Sequence, residues 1–251
     1  MFKSEKNMYE HEWHGIKFSE LGTNLNYNVL PDARFYQKFY KELFLRYQTF
    51  DDLNKDWIIR KEKTAKTISD FITYPQNIFS YGCGIGYIEY LLAKFNKDSN
   101  IDGFDFSLNF KHFLNSEIYL SNLNISSELS LFLSKKYNLI YLCQVMYSLK
   151  ENKCIELLST LLKILNKDGT LIIIHYPYKK NFIRYIKSKI SNNMPKSIFD
   201  FFGKDYIQKT KKQFWGYERT DSFYIKIANK LSLKLKNKFH IDGQSFLFFQ
   251  M

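Results

Sequence analysis

Three glycines at every second position constrain this chain more than any other feature. They lie in the run Ser80-Tyr81-Gly82-Cys83-Gly84-Ile85-Gly86-Tyr87, between the apolar pair Ile78-Phe79 and a helical pattern of apolar residues that begins at Ile88. A glycine lacks the Cβ that blocks left-handed backbone and close approach to a ligand. The run is therefore predicted to be a tight turn between a strand and a helix, where backbone amides can face a bound cofactor.

The spacing of these glycines distinguishes between two kinds of nucleotide-binding loop. A dinucleotide-binding loop has the pattern G-x-G-x-x-G, which would require a glycine at position 87, where this chain has Tyr87. The pattern here is G-x-G-x-G, so a dinucleotide is not the expected ligand. A glycine-rich turn that binds nothing is the alternative.

An acid follows the loop at the distance that nucleotide-binding βαβ units use. Residues 101–106 are predicted to be the second strand. Asp105 near its end follows Gly86 by roughly the 20 residues that separate such a loop from an acid that binds ribose hydroxyls. Phe106 beside it can pack against an adenine ring. As an alternative, Asp105 caps the helix that follows.

The form G-C-G-I-G, followed by Asp105, resembles motif I of class I S-adenosylmethionine (SAM)-dependent methyltransferases. Residues 137–149 and 161–174 are similar to the regions around strands 4 and 5 of that family, and the resemblance covers about residues 75–175 and 222–251. It implies an α/β fold with a doubly wound, mostly parallel seven-stranded sheet that ends in an antiparallel hairpin.

The resemblance also implies that the cofactor is SAM. The residues expected to bind it lie in the glycine loop and after the next strands: Tyr81, Gly82, Cys83, Gly84, Gly86, Asp105, Phe106, Asn122 and Gln144. Asn122 is assigned to the adenine edge, with Asn124 as the alternative. The chain departs from the family at Ser80, where most relatives carry an acid that steadies the loop. A hydroxyl can do so only more weakly than a carboxylate.

Apolar periodicity and turn residues predict the other elements. Residues 1–31 are expected to be irregular and to be followed by two helices, from Asp32 and over residues 56–72. Strands are predicted over residues 77–81, 101–106, 118–120, 137–143 and 170–175, and helices over 87–96, 108–114 and 153–165. The Asp242-Gly243 turn between residues 231–239 and 245–249 predicts a C-terminal hairpin.

These elements suggest how the chain is organised. We expect an N-terminal helical extension or lid, residues 1–74, and a SAM-binding domain, residues 75–251. Within that domain, residues 176–220 form a basic insertion after strand 5 that binds the acceptor.

The chemistry expected at the site is simple, because SAM carries an already activated methyl group. The protein has to align an acceptor and exclude water, and a general base helps if the acceptor is a hydroxyl or a protonated amine. Ligands of open α/β sheets bind beyond the carboxyl ends of the strands, which favours His175 and Tyr176. His175 is predicted to be the general base, with a strand-end cap as its alternative. His14 is a further candidate, in a segment where Trp13 can close the site.

The net charge of +12 is concentrated after strand 5. Between residues 178 and 220 there are eleven lysines and arginines against three acids, interleaved with aromatic residues. This pattern favours a small anionic acceptor, such as a phosphorylated metabolite or a nucleotide-linked sugar. The chain is similar in size and character to stand-alone methyltransferases of bacterial capsule pathways, including those of O-methyl phosphoramidate decoration.

Three alternatives remain open for this chain. The lysines can bind RNA phosphates while the aromatic residues stack on bases, or they can form a solvated face. The domain can also be a non-catalytic scaffold, with Ser80 as a sign of lost cofactor binding. No apolar run approaches the ~20 residues of a membrane span, and the polar N-terminus lacks the core of a signal peptide, so a cytoplasmic protein without a membrane partner is expected. The three cysteines suggest neither disulfides nor a metal site.

Overall fold

The computed structural model describes residues 5–107, 113, 120–178 and 212–251. Its N-terminal part contains three short strands and two helices: β1 (Glu5–Glu10), β2 (Glu12–Trp13), β3 (Ile16–Lys17), α1 (Ala33–Arg46) and α2 (Lys55–Ser69). Asp32 caps α1 by accepting the Phe35 N–H at 2.8 Å, and Asn54 caps α2 by accepting the Trp57 N–H at 3.0 Å. The two predicted helices are confirmed, whereas the prediction of an irregular N-terminus is wrong for the three strands.

Seven strands form the central sheet: β4 (Asn77–Tyr81), β5 (Asn100–Phe104), β6 (Leu123–Ser126), β7 (Tyr137–Cys143), β8 (Leu165–His175), β10 (Lys234–Ile241) and β11 (Gln244–Gln250). Their order is β10-β11-β8-β7-β4-β5-β6. β11 runs antiparallel to both of its neighbours, and the other pairs are parallel. The predicted seven-stranded sheet with its inserted C-terminal hairpin is therefore confirmed.

Helices cover both faces of this sheet. Besides α1 and α2 they are α3 (Tyr87–Phe95), α4 (Ser130–Leu133), α5 (Glu151–Leu162) and α6 (Asp221–Lys230). Ile172 and Ile174 of β8 pack in the core that α1, α2 and α3 share, whereas Leu171 and Ile173 pack in the core of α5 and α6. A strand buried on both faces reads as the continuous apolar run that the sequence shows.

The third strand differs from its prediction. It was expected over residues 118–120, but Leu120 belongs to no strand, and the strand that pairs with β5 is β6, with Ile125 opposite Gly103. The sequence of β6, Leu-Asn-Ile-Ser, alternates apolar and polar residues because the strand lies at the edge of the sheet. Residues 118 and 119, and all of the helix predicted over 108–114 except Phe113, lie outside the described residues.

A second, small sheet joins the N-terminus to the end of the predicted insertion. Strand β9 (Gln213–Arg219) pairs antiparallel with β1, from Glu5 opposite Arg219 to Glu10 opposite Gln213. Phe214 and Trp215 of β9 are buried, so they are core residues and not a basic surface. Residues 179–211, which carry most of the lysines assigned to the acceptor, lie outside the described residues.

Candidate functional site

The strands β4, β5, β7 and β8 end at the same edge of the sheet, and a cavity of about 850 Å³ lies beyond it. The turns after these strands form one wall. The opposite wall comes from β1, α1, α2 and β9, through residues such as Met8, Tyr36, Trp57 and Trp215. Residues of the N-terminal extension thus help to enclose the site.

Most of the residues predicted from the sequence line this one cavity. They are Tyr81, Gly82, Cys83, Gly84, Asp105, Phe106, Gln144, His14, His175 and Tyr176. Gly86 does not line it and instead begins α3, with a φ of 78°.

Asn122 is the other residue that the structure does not bring to the cavity. It precedes β6, at the amino end of the strand, and its Nδ2 donates to the carbonyls of Ala93, Asn96 and Ser99 at 3.0–3.1 Å. Its alternative, Asn124, donates to Asp102 Oδ1 at 3.1 Å. This placement corrects both assignments to the adenine edge, because both amides are bonded to groups of the protein and neither side chain lines the cavity.

The glycine loop has the backbone that its sequence predicts. Gly82, Gly84 and Gly86 have φ values of 78°, 59° and 78°. The N–H groups of Gly82 and Cys83 donate to Phe104 O at 2.7 and 3.0 Å, which holds the loop against the end of β5. A Cβ at Gly82 would collide with the Val145 side chain, whereas one at Gly84 would meet no atom within 4 Å. The backbone at Gly84 is therefore open to the cavity.

Asp105 links the loop to the end of the second strand. Its Oδ2 accepts the Gly84 N–H at 2.8 Å, and its Oδ1 accepts the Ser107 N–H at 2.9 Å. The carboxylate is buried, yet it borders the cavity. Phe106 beside it is 59% exposed and packs edge-on against Tyr36, with ring centroids 5.5 Å apart.

Gln144 is held in an unusual backbone conformation at the end of β7. Its φ is 58°, and its N–H donates to Ile174 O at 2.9 Å. The side-chain Nε2 is buried and has no hydrogen-bond partner among the described residues. Buried polar groups are nearly always bonded, so this donor is free to bond a ligand in the cavity. An open glycine backbone, a neighbouring acid and an unsatisfied amide donor together fit a nucleoside cofactor such as SAM.

His175 lies in the wall of the cavity with both of its ring nitrogens buried. Its Nε2 is 2.9 Å from Asp221 Oδ1. The ring packs on Tyr224, with centroids 4.3 Å apart. The structure thus brings His175 to the site but does not expose the nitrogens that a base would use.

The carboxylate of Asp221 contacts three basic side chains. Besides His175 it contacts Lys238 Nζ at 2.6 Å and His240 Nε2 at 3.3 Å. Burial alone would raise the pKa of Asp221, but the bonds from His175 and Lys238 outweigh it and hold the pKa below its ordinary value. No sequence pattern pointed to Asp221, because its partners come from distant strands.

His14 reaches the cavity from the opposite wall. Its φ is 49°, and its ring lies 5.2 Å edge-on from the ring of Trp57. Burial, and then the charge of Lys61, lower the pKa of His14 to about 4. At neutral pH the imidazole is therefore uncharged.

Two cations on α2, Arg60 and Lys61, also border the cavity, although no sequence pattern pointed to them. Lys61 Nζ lies 3.7 Å from Cys143 Sγ and 5.5 Å from the centroid of the Trp57 ring. Within the described part of the chain it has no carboxylate at ion-pair distance, and neither has Arg60. Burial raises the pKa of Tyr176, and the charges of Arg60 and Lys61 oppose that rise, so the three side chains share one region.

The described ranges contain neither a candidate metal site nor a candidate membrane-spanning helix. No group of three or more His, Cys, Asp or Glu side chains there could hold a metal ion. Nor does any helix in those ranges have the length and apolar character that crossing a membrane requires.

Comparison with solved structures shows the same fold. One is CalO1, a methyltransferase of calicheamicin biosynthesis in its S-adenosylhomocysteine (SAH)-bound form, with a TM-score of 0.59, 11% identity and coverage of 87% of this chain and 58% of that chain. A second is magnesium protoporphyrin IX methyltransferase (ChlM) from Synechocystis PCC 6803 with bound SAH. Its TM-score is 0.56 and its sequence identity 14%, and the match covers 84% of this chain and 93% of that chain. The mitomycin 7-O-methyltransferase MmcR has a TM-score of 0.60 and a sequence identity of 9%, and the match covers 94% of this chain and 61% of that chain. This chain thus spans less than two thirds of the CalO1 and MmcR chains.

The sequence comparisons give the family. No protein of curated function matches the chain. The family model described as a methyltransferase domain matches residues 34–234, which include the glycine loop and the strands of the parallel sheet. The prediction of a SAM-dependent methyltransferase is confirmed at the level of family and fold. The chain belongs to the methyltransferase domain family.

Proposed function

We propose that this protein transfers the methyl group of SAM to a small acceptor that carries an anionic group. The observation on which this rests is Lys61, an ammonium in the wall of the cavity with a thiol and an aromatic face as its neighbours. Among the described residues, no carboxylate lies within ion-pair distance of its ammonium group. A cation in such a place gains most from a ligand that supplies the missing negative charge.

The cofactor half of the cavity is the half that the glycine loop borders. When bound, SAM supplies a methyl group on a sulfonium, which needs no further activation. Gly84 would offer open backbone to it, Gln144 Nε2 an unpaired donor, and Asp105 a carboxylate at the end of β5. These are the residues that we assign to cofactor binding.

The acceptor half lies between α2 and the turn after β8. Arg60 and Lys61 are placed to hold an anionic group, and Trp57 and Tyr176 border the same region. Indole and phenol rings exclude water while leaving polar edges for hydrogen bonds. A phosphorylated metabolite or a nucleotide-linked sugar, as in surface-polysaccharide pathways, is the acceptor class that we would test first.

His14 is the residue that we assign as proton acceptor. Its imidazole is uncharged at neutral pH, because burial and Lys61 disfavour the charged form. A neutral imidazole in the cavity can accept the hydrogen bond of an acceptor hydroxyl and take its proton as the methyl group is transferred. His175, with both nitrogens buried, is assigned to holding β8 and α6 together.

The test pairs two lysines on the same helix. Lys61→Met removes the cation of the cavity, whereas Lys63→Met removes an exposed lysine that pairs with Asp242 at 2.7 Å outside the cavity. A panel of phosphorylated sugars and nucleotide sugars is screened for methylation by mass. With an acceptor found, Lys61→Met should raise KM by about tenfold or more, as expected for a lost charged contact, and Lys63→Met should not.

The opposite results are equally informative. Methylation restricted to uncharged acceptors, or equal KM values in both variants, would show that the acceptor is not held through an anion. Methylation of RNA by the same preparation would transfer the acceptor assignment to nucleic acid.

A further inference from the structure

Glu89 is a buried carboxyl group close beneath the glycine loop, and it does not line the cavity. It lies in the first turn of α3 and is 1% exposed, although its helix neighbours Ile88, Leu91 and Leu92 form an apolar face. Burying an ionisable group costs free energy unless bonds compensate. The residues that contact the Glu89 side chain indicate its role.

The carboxyl joins the helix to two strands of the sheet. Tyr141 of β7 donates its hydroxyl to Glu89 Oε1 at 2.6 Å. Tyr141 stands opposite Ser80 of β4 in the parallel register. Burial raises the pKa of Glu89, and the hydroxyls of Ser80 and then Tyr141 oppose that rise. Position 80 itself has no carboxyl group. The carboxyl group next to Ser80 is that of Glu89, which comes from α3.

Glu89 also lies near Cys83, in the middle of the loop. The place that a Cβ at Gly103 would take lies 3.3 Å from Cys83 Sγ and 3.4 Å from Glu89 Cγ. Both side chains thus border the space that the missing side chain of Gly103 leaves open. Burial raises the pKa of the Cys83 thiol, and the next largest contribution is the negative charge of Glu89. Glu89 Oε2 is buried and has no hydrogen-bond partner among the described residues, so the carboxyl can still accept a bond.

We propose that Glu89 holds the glycine loop in the geometry that binds the cofactor, in the role that an acid at position 80 would have. It is a positioning residue, since the loop lies between it and the cavity. The inference rests on the proposed function in so far as the loop binds SAM. The loop geometry itself can be tested without the cofactor.

Hydrogen exchange on the cofactor-free chain is the first test. In Glu89→Ala the amides of residues 82–86 should exchange at least about tenfold faster, because the loop has lost its support from below. The matched control is Asp102→Asn. Asp102 is also buried and accepts from a tyrosine, Tyr137, at 2.8 Å, but it lies further from the loop on β5. Faster exchange across the whole sheet in both variants, with no excess at the loop, would overturn the proposal.

Titration with SAH by calorimetry is the second test. Glu89→Ala should weaken SAH binding about tenfold or more, and Ser80→Asp in the same chain should restore it to within about threefold of wild type. Unchanged affinity in Glu89→Ala, or a double variant that binds no better than the single one, would contradict the role. If Glu89→Ala does not fold, Glu89→Gln with and without Ser80→Asp gives the same comparison with the side-chain volume kept.

The two tests separate this inference from the proposed function. If the wild-type chain binds no SAH, the proposed function fails, and the exchange of the loop amides still decides whether Glu89 supports the loop. If wild type binds SAH and only the loop comparison fails, the proposed function stands without Glu89.

Discussion

Asp221 Oδ1 lies 2.9 Å from His175 Nε2, while Oδ2 of the same carboxylate contacts Lys238 Nζ at 2.6 Å. One carboxylate at the start of α6 therefore ties β8 in the centre of the sheet to β10 at its edge. Removing the Asp221 side chain leaves the buried His175 and the exposed Lys238 without their shared partner. This relationship makes Asp221 a stability residue whose effect depends on pH.

Asp221→Asn should reduce the free energy of unfolding at pH 7 by about 1–2 kcal/mol, because solvent screens the contacts with the exposed Lys238 and His240. Because the folded protein lowers the pKa of this carboxyl, its contribution is complete above the ordinary value of 3.8 and is lost as the pH falls below it. Urea unfolding of both proteins at several pH values measures this. Equal stability at pH 7, or a difference that grows on acidification, would contradict the assignment.

The contact between Asp221 and His175 also predicts the effect of replacing His175 on stability and on SAH binding. His175→Gln should lower stability while leaving SAH affinity per folded molecule within about twofold, because neither ring nitrogen reaches the cavity. Methyl transfer that falls by about 10²–10⁴ with stability unchanged would instead show that His175 is the general base.

His14 should give the protein a second pH dependence, with the sign set by its lowered pKa. The folded state takes up the proton only near pH 4, whereas the unfolded chain takes it up near 6.5. The stability from neutral His14 is therefore complete above about pH 6.5 and is lost as the pH falls towards 4. His14→Gln should flatten the unfolding free energy over this range, and a profile identical to wild type would disprove the shift.

Gly243 is a matched control position for a substitution at Gly84. Gly84 and Gly243 both have positive φ, 59° and 78°, and a Cβ at either would meet no atom within 4 Å. Replacing either glycine with alanine should therefore lower the free energy of unfolding by about 1–2 kcal/mol, because alanine strains a left-handed backbone. Only Gly84 lines the cavity, so Gly84→Ala should weaken SAH binding about tenfold and Gly243→Ala should not. Equal SAH affinities in calorimetry would show that the cofactor does not approach this backbone.

Asp105 connects the loop to the proposed cofactor. Asp105→Ala removes the acceptor of the Gly84 N–H and should weaken SAH binding about ten- to a hundredfold. Asp98→Ala makes the same charge change at an exposed position before β5 and should leave the affinity as it is. Unchanged SAH affinity in Asp105→Ala would remove this residue from the site.

The sequence predicted the parts of this molecule that are encoded locally. The glycine loop, the buried strands β7 and β8, and the Asp242-Gly243 turn each carry their signal within about ten residues, and all are confirmed. The third strand was misplaced because an edge strand such as β6 has few apolar residues, while Asn122 before it looked like a ligand contact. In the structure, Asn122 satisfies carbonyl groups of the protein.

Other parts depend on contacts between distant residues. β1 pairs with β9 across some 200 residues, and the polar sequence of β1 gives no local sign of a strand. Lys61 becomes a cavity residue only because α2 packs beside the turns of the sheet. For Glu89 a signal was present, since an acid interrupts the apolar face of α3. Its meaning becomes clear only with Tyr141 and Cys83 beside it.

The most direct measurement of the central claim is a calorimetric titration of the full chain with SAM and with SAH. We predict one bound molecule per chain, with a dissociation constant of about 100 µM or tighter. A titration with no saturable binding up to about 1 mM of either compound would contradict a SAM-dependent methyltransferase and favour a scaffold with the same fold.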